Sequence, residues 1–391
     1  MKSPWYILPI IVIAQFFCTS LWFAGNAVLG DLTSLYDLAE NSVGHLTAAV
    51  QLGFISGTLL YAILTIADRF SPSKVFFLSA ILGASANALI IFLTSGFYEL
   101  LILRFITGFF LAGIYPVGMK IASDHFAQGL GKALGYLVGA LVLGTALPHL
   151  IRGYSLDLDW KWVMIITSTL CLTGGALVYL LVGDGPHHKK GKQVDFSAFF
   201  RVFKDKSFRS PAFGYFGHMW ELYTFWAFVP VMIQLYNNSR GTTFNVSLWS
   251  FGIIGIGFLS CIIGGYLSLS IGSRKTAFFS LLGSGICCVI SMWMLDFHPN
   301  VFLFFLFIWG ILVIADSPQF STLVARYAPS ENKGTALTIV NCIGFSITIF
   351  SIELVNYLSD DFSLHMVMIV LSIGPMLGLI GLGFKEKGVR A

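Results

Sequence analysis

Between Gly214 and Pro230 the chain reads Gly-Tyr-Phe-Gly-His-Met-Trp-Glu-Leu-Tyr-Thr-Phe-Trp-Ala-Phe-Val-Pro, an apolar, aromatic run interrupted by His218 and Glu221. Counted from Pro211 at ~1.5 Å per residue, Glu221 falls roughly halfway through a ~30 Å hydrocarbon core, with His218 one turn below it on the same helix face. A carboxylate at that depth costs several kcal/mol unless it is paired, protonated or wetted, so an intramembrane acid marks proton loading or ligand contact before it marks structure. A second deep acid, Asp316, stands in Trp309-Gly-Ile-Leu-Val-Ile-Ala-Asp-Ser-Pro-Gln-Phe320, ~24 Å along a helix begun at Asn300. Helical spacing puts Trp309, Asp316 and Gln319 on one face, and Pro318 interrupts the backbone ladder just beyond the acid. A buried cation is expected at Arg104, with Tyr115 on its face and Pro116 kinking the same helix. Gln15, Cys18, Thr19, Trp22 and Asn26 make a polar stripe in the first apolar run. Each of these groups has a plainer reading: an acid neutralised by a neighbouring helix, an arginine snorkelling to the interface, an aspartate bonded to the kink.

Groups at such depths need helices that span a bilayer, and the composition provides them. Hydrophobic residues make up 56% of the chain and charged residues 11%, which excludes an ordinary soluble globule of this length. Twelve apolar runs are long enough to cross: 5–29, 43–66, 75–95, 97–120, 133–153, 162–183, 211–235, 246–269, 276–295, 300–325, 334–357 and 364–384. All of the 23 Lys and Arg except Arg104, Arg152, Lys161 and Arg240 fall on the side that carries both termini, which the positive-inside rule makes the cytoplasm. The net charge of +4 is thereby a topology signal and gives no reason to invoke nucleic acid. No cleavable leader is read before the first run, so Met1–Pro4 is expected to be a short cytoplasmic start. The six cysteines, Cys18, Cys171, Cys261, Cys287, Cys288 and Cys342, all fall within spans without metal-ligand spacing, and are expected to be free packing thiols. No metal or cofactor is expected, and no nucleophile–base set or phosphate loop suggests an enzyme.

The long polar stretch from Asp184 to Ser210 divides the chain into halves, 1–183 and 211–391, joined by a cytoplasmic linker at 184–210. Aligned on their fourth and tenth spans, the halves match Gly108 to Gly310, Tyr115-Pro116 to Ser317-Pro318 and Leu134 to Ala336, the mark of a duplication. Leu64-Thr-Ile-Ala-Asp68-Arg69-Phe-Ser-Pro-Ser-Lys74 and its counterpart Gly265-Tyr-Leu-Ser-Leu-Ser-Ile-Gly-Ser-Arg274-Lys275 resemble the Gly-x-x-x-Asp-Arg-x-Gly-Arg-Lys loop of the major facilitator superfamily. The first copy has Leu64 and Ser71 in place of glycines, and the second has Leu269 in place of the acid. Arg104-Phe-Ile-Thr-Gly108 resembles that superfamily's Arg-x-x-x-Gly motif, and Gly135-x-x-x-Gly139 through Pro148 its glycine-rich antiporter motif in part. The phrases around Glu221 and Asp316 look like those of a poorly characterised bacterial branch grouped loosely with nitrate/nitrite and cyanate transporters.

The resemblance implies an all-α membrane protein of twelve helices in two duplicated six-helix bundles. It also implies that the first, fourth, seventh and tenth spans line a cavity, bringing Trp22, Asn26, Arg104, Tyr115, His218, Glu221, Trp309, Asp316 and Gln319 to one site. Asp68, Arg69, Arg274 and Lys275 are expected to govern conformational gating. Gln51 stands on the second span where nitrate porters carry an arginine, and the eighth span has none, which argues against nitrate. The expected function is a monomeric, proton-coupled secondary transporter in a bacterial inner membrane, working by alternating access on a small polar or charged solute. Arg104 would face a carboxylate, and Glu221 would be the principal proton carrier. A proton antiporter exporting drugs or metabolites is the alternative, and a non-transporting sensor or membrane enzyme a weaker one.

Overall fold

The computed structural model describes residues 4–38, 42–93, 96–126, 130–154, 159–187, 203–328 and 333–383. The side chains of Asp68, Leu93, 130–132 and 333–335 lie outside that description, as do the linker basics Lys189, Lys190, Lys192 and Arg201. Among the described residues the chain is helical, without strands. In order the helices are α1 Ile7–Thr19, α2 Ala24–Ala27, α3 Leu29–Tyr36, α4 Ser42–Ile63, α5 Ile66–Arg69, α6 Pro72–Leu93, α7 Phe97–Leu111, α8 Tyr115–His125, α9 Leu130–Tyr154 and α10 Lys161–Leu177. After these come α11 Lys206–Arg240, α12 Val246–Gly255, α13 Gly257–Ile271, α14 Ser273–Ile290, α15 Pro299–Ala315, α16 Ser317–Tyr327, α17 Lys333–Leu358, α18 Leu364–Val367 and α19 Ile373–Gly383.

Ten helical stretches among the described residues are long and apolar enough to cross a membrane. The apolar α1, continued by α2 and α3, and the 35-residue α11, diluted by His218, Glu221 and its tyrosines, fit the remaining two of twelve spans. Large apolar side chains such as Phe92, Leu180, Leu269, Phe304 and Phe350 point outward and exposed, as a lipid solvent requires and water would penalise.

The chain forms two compact units, Met1–Gln193 with Ala227–Phe258, and Val194–Trp226 with Leu259–Ala391, the division falling inside α11 and α13. In the first unit α4 and α7 pack backbone to backbone. A Cβ added at Gly53 would lie 2.0 Å from the Phe105 carbonyl oxygen, and one added at Gly108 would lie 2.0 Å from that of Val50. Small residues at such crossings let helices approach where lipid supplies no hydrophobic drive. In the second unit Gly217 and Gly374 meet the same way, each against the other's carbonyl. At one end of the first unit Arg152 of α9 holds Asp31 of α3 with both prongs, Nη2 to Oδ1 at 2.8 Å and Nε to Oδ2 at 3.1 Å.

Several spans are broken, the eighth between α12 and α13 and three others beside the buried polar groups. The first, expected to be continuous over 5–29, is interrupted at 20–23 between α1 and α2, where no proline or glycine signals it. The fourth breaks at 112–114 and the tenth at Asp316, and in both a proline, Pro116 or Pro318, occupies the first turn of the helix that follows. The two proline breaks sit at the register the internal repeat aligns. A proline needs no N–H at the first turn, so it restarts a helix as readily as it interrupts one.

Gly108→Leu should drive a side chain into the α4 backbone and lower stability by about 3 kcal/mol or more, read as the apparent Tm of the detergent-solubilised protein. Gly135→Ala, where an added Cβ meets nothing within 4 Å, should leave that Tm unchanged.

Candidate functional site

Each unit buries its own polar group in an apolar interior. In the first unit Arg104 on α7 is fully buried and aims its guanidinium at the break in the first span. Nη1 donates to the Leu21 carbonyl at 3.1 Å and to Asn87 Oδ1 at 3.3 Å, and Nη2 donates to the Trp22 carbonyl at 2.5 Å. Those carbonyls are ones an unbroken helix would have satisfied. Asn87 on α6 then spends its Nδ2 on the Met164 carbonyl, Thr167 Oγ1 and Ser168 Oγ of α10. Four spans are thus tied through one cation, which contacts no acid among the described residues. The fork expected to face a carboxylate is largely occupied by backbone. Its Nε meets no protein acceptor and lies against Gly25, 3.1 Å from where a Cβ there would stand.

Trp22 is buried and packs on Phe54 of α4 with ring centroids 4.8 Å apart, and Asn26 donates to Thr47 Oγ1 at 2.7 Å. Tyr115 opens α8 with its side chain buried, and is not among the partners of Arg104.

The second unit holds both acids and divides them between different partners. Glu221 on α11 accepts from Trp309 Nε1 at 2.6 Å, Ser284 Oγ at 2.8 Å and Cys288 Sγ at 3.2 Å. Three donors from α14 and α15 occupy most of the lone-pair sites of one carboxylate. Trp309 is held in turn between Phe225 and Phe305, centroids 4.6 and 5.6 Å away.

One turn before Glu221, His218 places Nδ1 2.8 Å from Asp316 Oδ1, and both side chains are buried. The distance is that of an ion pair, while the angle falls outside that of a well-formed hydrogen bond. His218 Nε2 and Asp316 Oδ2 meet no protein partner. The ring of His218 is flanked by Tyr215 and Phe320, each with its centroid 6.0 Å away. Asp316 occupies the junction of α15 and α16, its own carbonyl accepting from Gln319 and Phe320 N–H at 2.9 Å. Pro318 has no N–H for the Ile314 carbonyl, which accepts from the Asp316 N–H and the Cys261 thiol, the latter at 3.9 Å, and Ser260 Oγ reaches the Ile311 carbonyl at 2.6 Å. Gln319 is buried one turn on.

Of the expected gating residues, Arg69 and Lys275 are exposed, and the side chain of Asp68 lies outside the described residues. Arg274 bonds Ser210 Oγ at 3.2 Å and the Leu382 carbonyl, tying the start of α14 to α11 and α19. Sequence reasoning overlooked Asp184, whose Oδ1 accepts from Ser71 Oγ, Ser73 Oγ and Ser73 N at 2.9–3.0 Å and so caps α6 from the far end of the first half. It also overlooked Asn87, and took Cys288 for packing. Ser280, Ser284 and Cys288 on α14, with Ser291 just past its end, form a small-polar stripe at helical spacing that could have announced a partner for Glu221.

A family model described as the Major Facilitator Superfamily matches residues 11–352. The chain belongs to the major facilitator superfamily. Two solved structures share its fold. A bacterial homolog of the human lysosomal transporter Spinster, inward-facing and unoccupied, aligns with TM-score 0.70 and 14% identity over 96% of this chain and 94% of that one. The nucleoside transporter NupG, in a mutant form, aligns with TM-score 0.72 and 12% identity over 97% of this chain and 100% of that one. At such identities the likeness is one of fold alone. Among curated proteins, the fluoride-specific ion channel FluC of Pectobacterium atrosepticum is 40% identical over 57 residues, 15% of this chain and 43% of that protein. FluC of Pectobacterium carotovorum subsp. carotovorum is 39% identical over the same length. The chain thus spans less than half of these curated relatives, over a stretch about as long as two spans with their connection.

A lysine offers a point charge where Arg104 offers a planar fork, so Arg104→Lys can hold only part of the set formed by Leu21 O, Trp22 O and Asn87 Oδ1. The variant should lose about 2–4 kcal/mol, measured as a lower midpoint of chemical or thermal unfolding. Unchanged stability would show that the fork does not hold the broken first span.

Proposed function

We propose that this integral membrane protein is a secondary active transporter of a small polar solute, driven by a proton gradient and working by alternating access, with the duplicated halves 1–183 and 211–391 as its moving bodies. The observation that carries the proposal is the buried His218–Asp316 pair, whose outer nitrogen and oxygen have no protein partner although the residues lie in an apolar interior. Such a pair can hold one proton more or one fewer with little change of shape, which a coupling site needs. Broken helices with unsatisfied groups near mid-membrane are a recurrent feature of substrate and ion sites in secondary transporters. Membership of the superfamily supports a transport role.

In this reading Asp316 and His218 exchange the proton. Glu221, closed in by Trp309, Ser284 and Cys288, is the neighbouring acid that shares the charge of the site and fixes the indole. The loop around Asp68, Arg69, Arg274 and Lys275 is assigned to the conformational equilibrium. The positive-inside count supports a bacterial inner membrane with both termini cytoplasmic.

The test uses purified protein in liposomes loaded with a pH-reporting dye, challenged with a panel of metabolites. At least one solute should move protons in the wild type. Asp316→Asn should abolish that movement while solute-for-solute exchange continues, and Glu221→Gln should reduce it. Solute uptake indifferent to an imposed pH gradient would overturn the coupling, and absence of uptake for every solute would overturn the transport assignment.

A further inference from the structure

The first unit satisfies many of its buried polar side chains within the protein, while others, Arg104 Nε and His149 Nε2 among them, keep one atom without a hydrogen-bond partner among the described residues. Thr19, Thr47, Thr107 and Thr167 each donate to the carbonyl four residues earlier, and Asn87 is bonded on both its oxygen and its nitrogen. Against that background two carboxamides stand out. Gln15 on α1 and Gln51 on α4 are each 0% exposed, and neither the oxygen nor the nitrogen of either has a partner. The Asn26 oxygen and Thr58 Oγ1 are unpartnered as well.

Gln51 and Thr58 lie on the face of α4 turned to residues 22–26 of the first span, and Gln15 lies two turns before Trp22, against Gly118 of α8. Thr47, Gln51, Phe54 and Thr58 share one face of α4. That face meets the first span through the Asn26–Thr47 hydrogen bond and the Trp22–Phe54 ring contact. Gln15 precedes Trp22 on the first span, its oxygen 2.3 Å from where a Cβ on Gly118 would stand, in room that a glycine leaves. Counted from the two ends of the bilayer, Gln15 and Gln51 both lie ~12–15 Å deep. An unmade hydrogen bond at such a position is a standing cost that packing does not recover.

We infer that this region is the recognition face for an uncharged, hydrogen-bonding ring, a sugar or an amide-bearing heterocycle, with Gln15 and Gln51 reading its donors and acceptors and the Trp22–Phe54 pair supporting its flat side. A carboxamide presents two donors and an acceptor with two lone pairs, which matches neighbouring hydroxyls or an amide edge. Aromatic faces add contact area without charge. The one fixed cation nearby, Arg104, gives its fork to Leu21 O, Trp22 O and Asn87, and its remaining Nε sits behind Gly25. A carboxylate would compete with those protein acceptors for the Arg104 guanidinium. The inference deepens the transporter reading and rests on it for what happens after binding.

The experiment measures the apparent Tm of the full-length protein in detergent for the wild type, Gln15→Leu, Gln51→Leu and the control Gly135→Ala. Each protein is run alone and with millimolar glucose, ribose, uridine, nicotinamide, glutamate, lactate or arginine. A leucine of similar volume removes an unpaired amide, so both glutamine variants should unfold about 2–4 °C higher than the wild type when alone. At least one of the four uncharged probes should raise the wild-type and Gly135→Ala Tm, and that rise should vanish in both glutamine variants. Sugars and heterocycles are separated by which probe acts. A lower Tm in the variants alone would mean that the amides serve the fold. A rise produced only by glutamate, lactate or arginine, a rise that survives both substitutions, or no rise with any probe would each overturn the inference. If an uncharged probe acts as expected but no solute crosses liposomes, the transport reading falls and the recognition face stands.

Discussion

A bilayer interior provides no water to complete a hydrogen bond, and each polar group left there without a partner costs several kcal/mol. That constraint, applied to Arg104, Glu221 and Asp316, organises the polar interior of this protein. The cation is neutralised by dipoles: two carbonyls exposed by a gap in the first span and one side-chain amide. Glu221 is neutralised by three donors drawn from two helices. Asp316 has a histidine 2.8 Å from one oxygen, and its other oxygen makes no well-formed hydrogen bond among the described residues. Close backbone packing at Gly53, Gly108 and Gly217 joins the helices that carry these groups to their neighbours.

The broken helices belong to the same account. A break creates unsatisfied backbone groups, which a soluble protein would leave to water. Here the gap at 20–23 is occupied by the Arg104 fork, and the one at Pro318 by the thiol of Cys261 beside the Asp316 junction. Completed networks hold their helices rigidly, whereas incomplete ones leave capacity for something else. Unfilled valences remain on Asp316, His218, Gln15 and Gln51 among others, and these four are the positions assigned to proton and solute.

Much of this was legible from residue types. Long apolar runs fix the spans, because nothing else explains so few charges in so long a chain. Pro116 and Pro318 announce the fourth and tenth breaks, and two acids in apolar surroundings announce a site. Partners were harder to read. The first break carries no proline, so the carbonyls of Leu21 and Trp22 gave no sign that Arg104 would be drawn to them rather than toward Tyr115. Trp309, Asp316 and Gln319 share a helical face on paper, yet the indole goes to Glu221 and the aspartate to His218, because α11 presents both residues one turn apart. Cys288 reads as packing until Glu221 lies 3.2 Å from it. Asp184 reads as the first residue of a linker until Ser71 and Ser73 donate to it. Such pairings depend on how helices far apart in the chain are turned toward one another, which a single sequence does not encode locally.

The buried acids of the second unit have specific neighbours, and Asp316 and His218 are proposed to act as one group. A double-mutant cycle on unfolding free energy, using His218→Gln, Asp316→Asn and the double variant, tests that proposal most directly. The account predicts that either single change costs about 2–4 kcal/mol and that the double change costs little more than one of them, a coupling well above 1 kcal/mol. Single costs that add to within about 0.5 kcal/mol would contradict it.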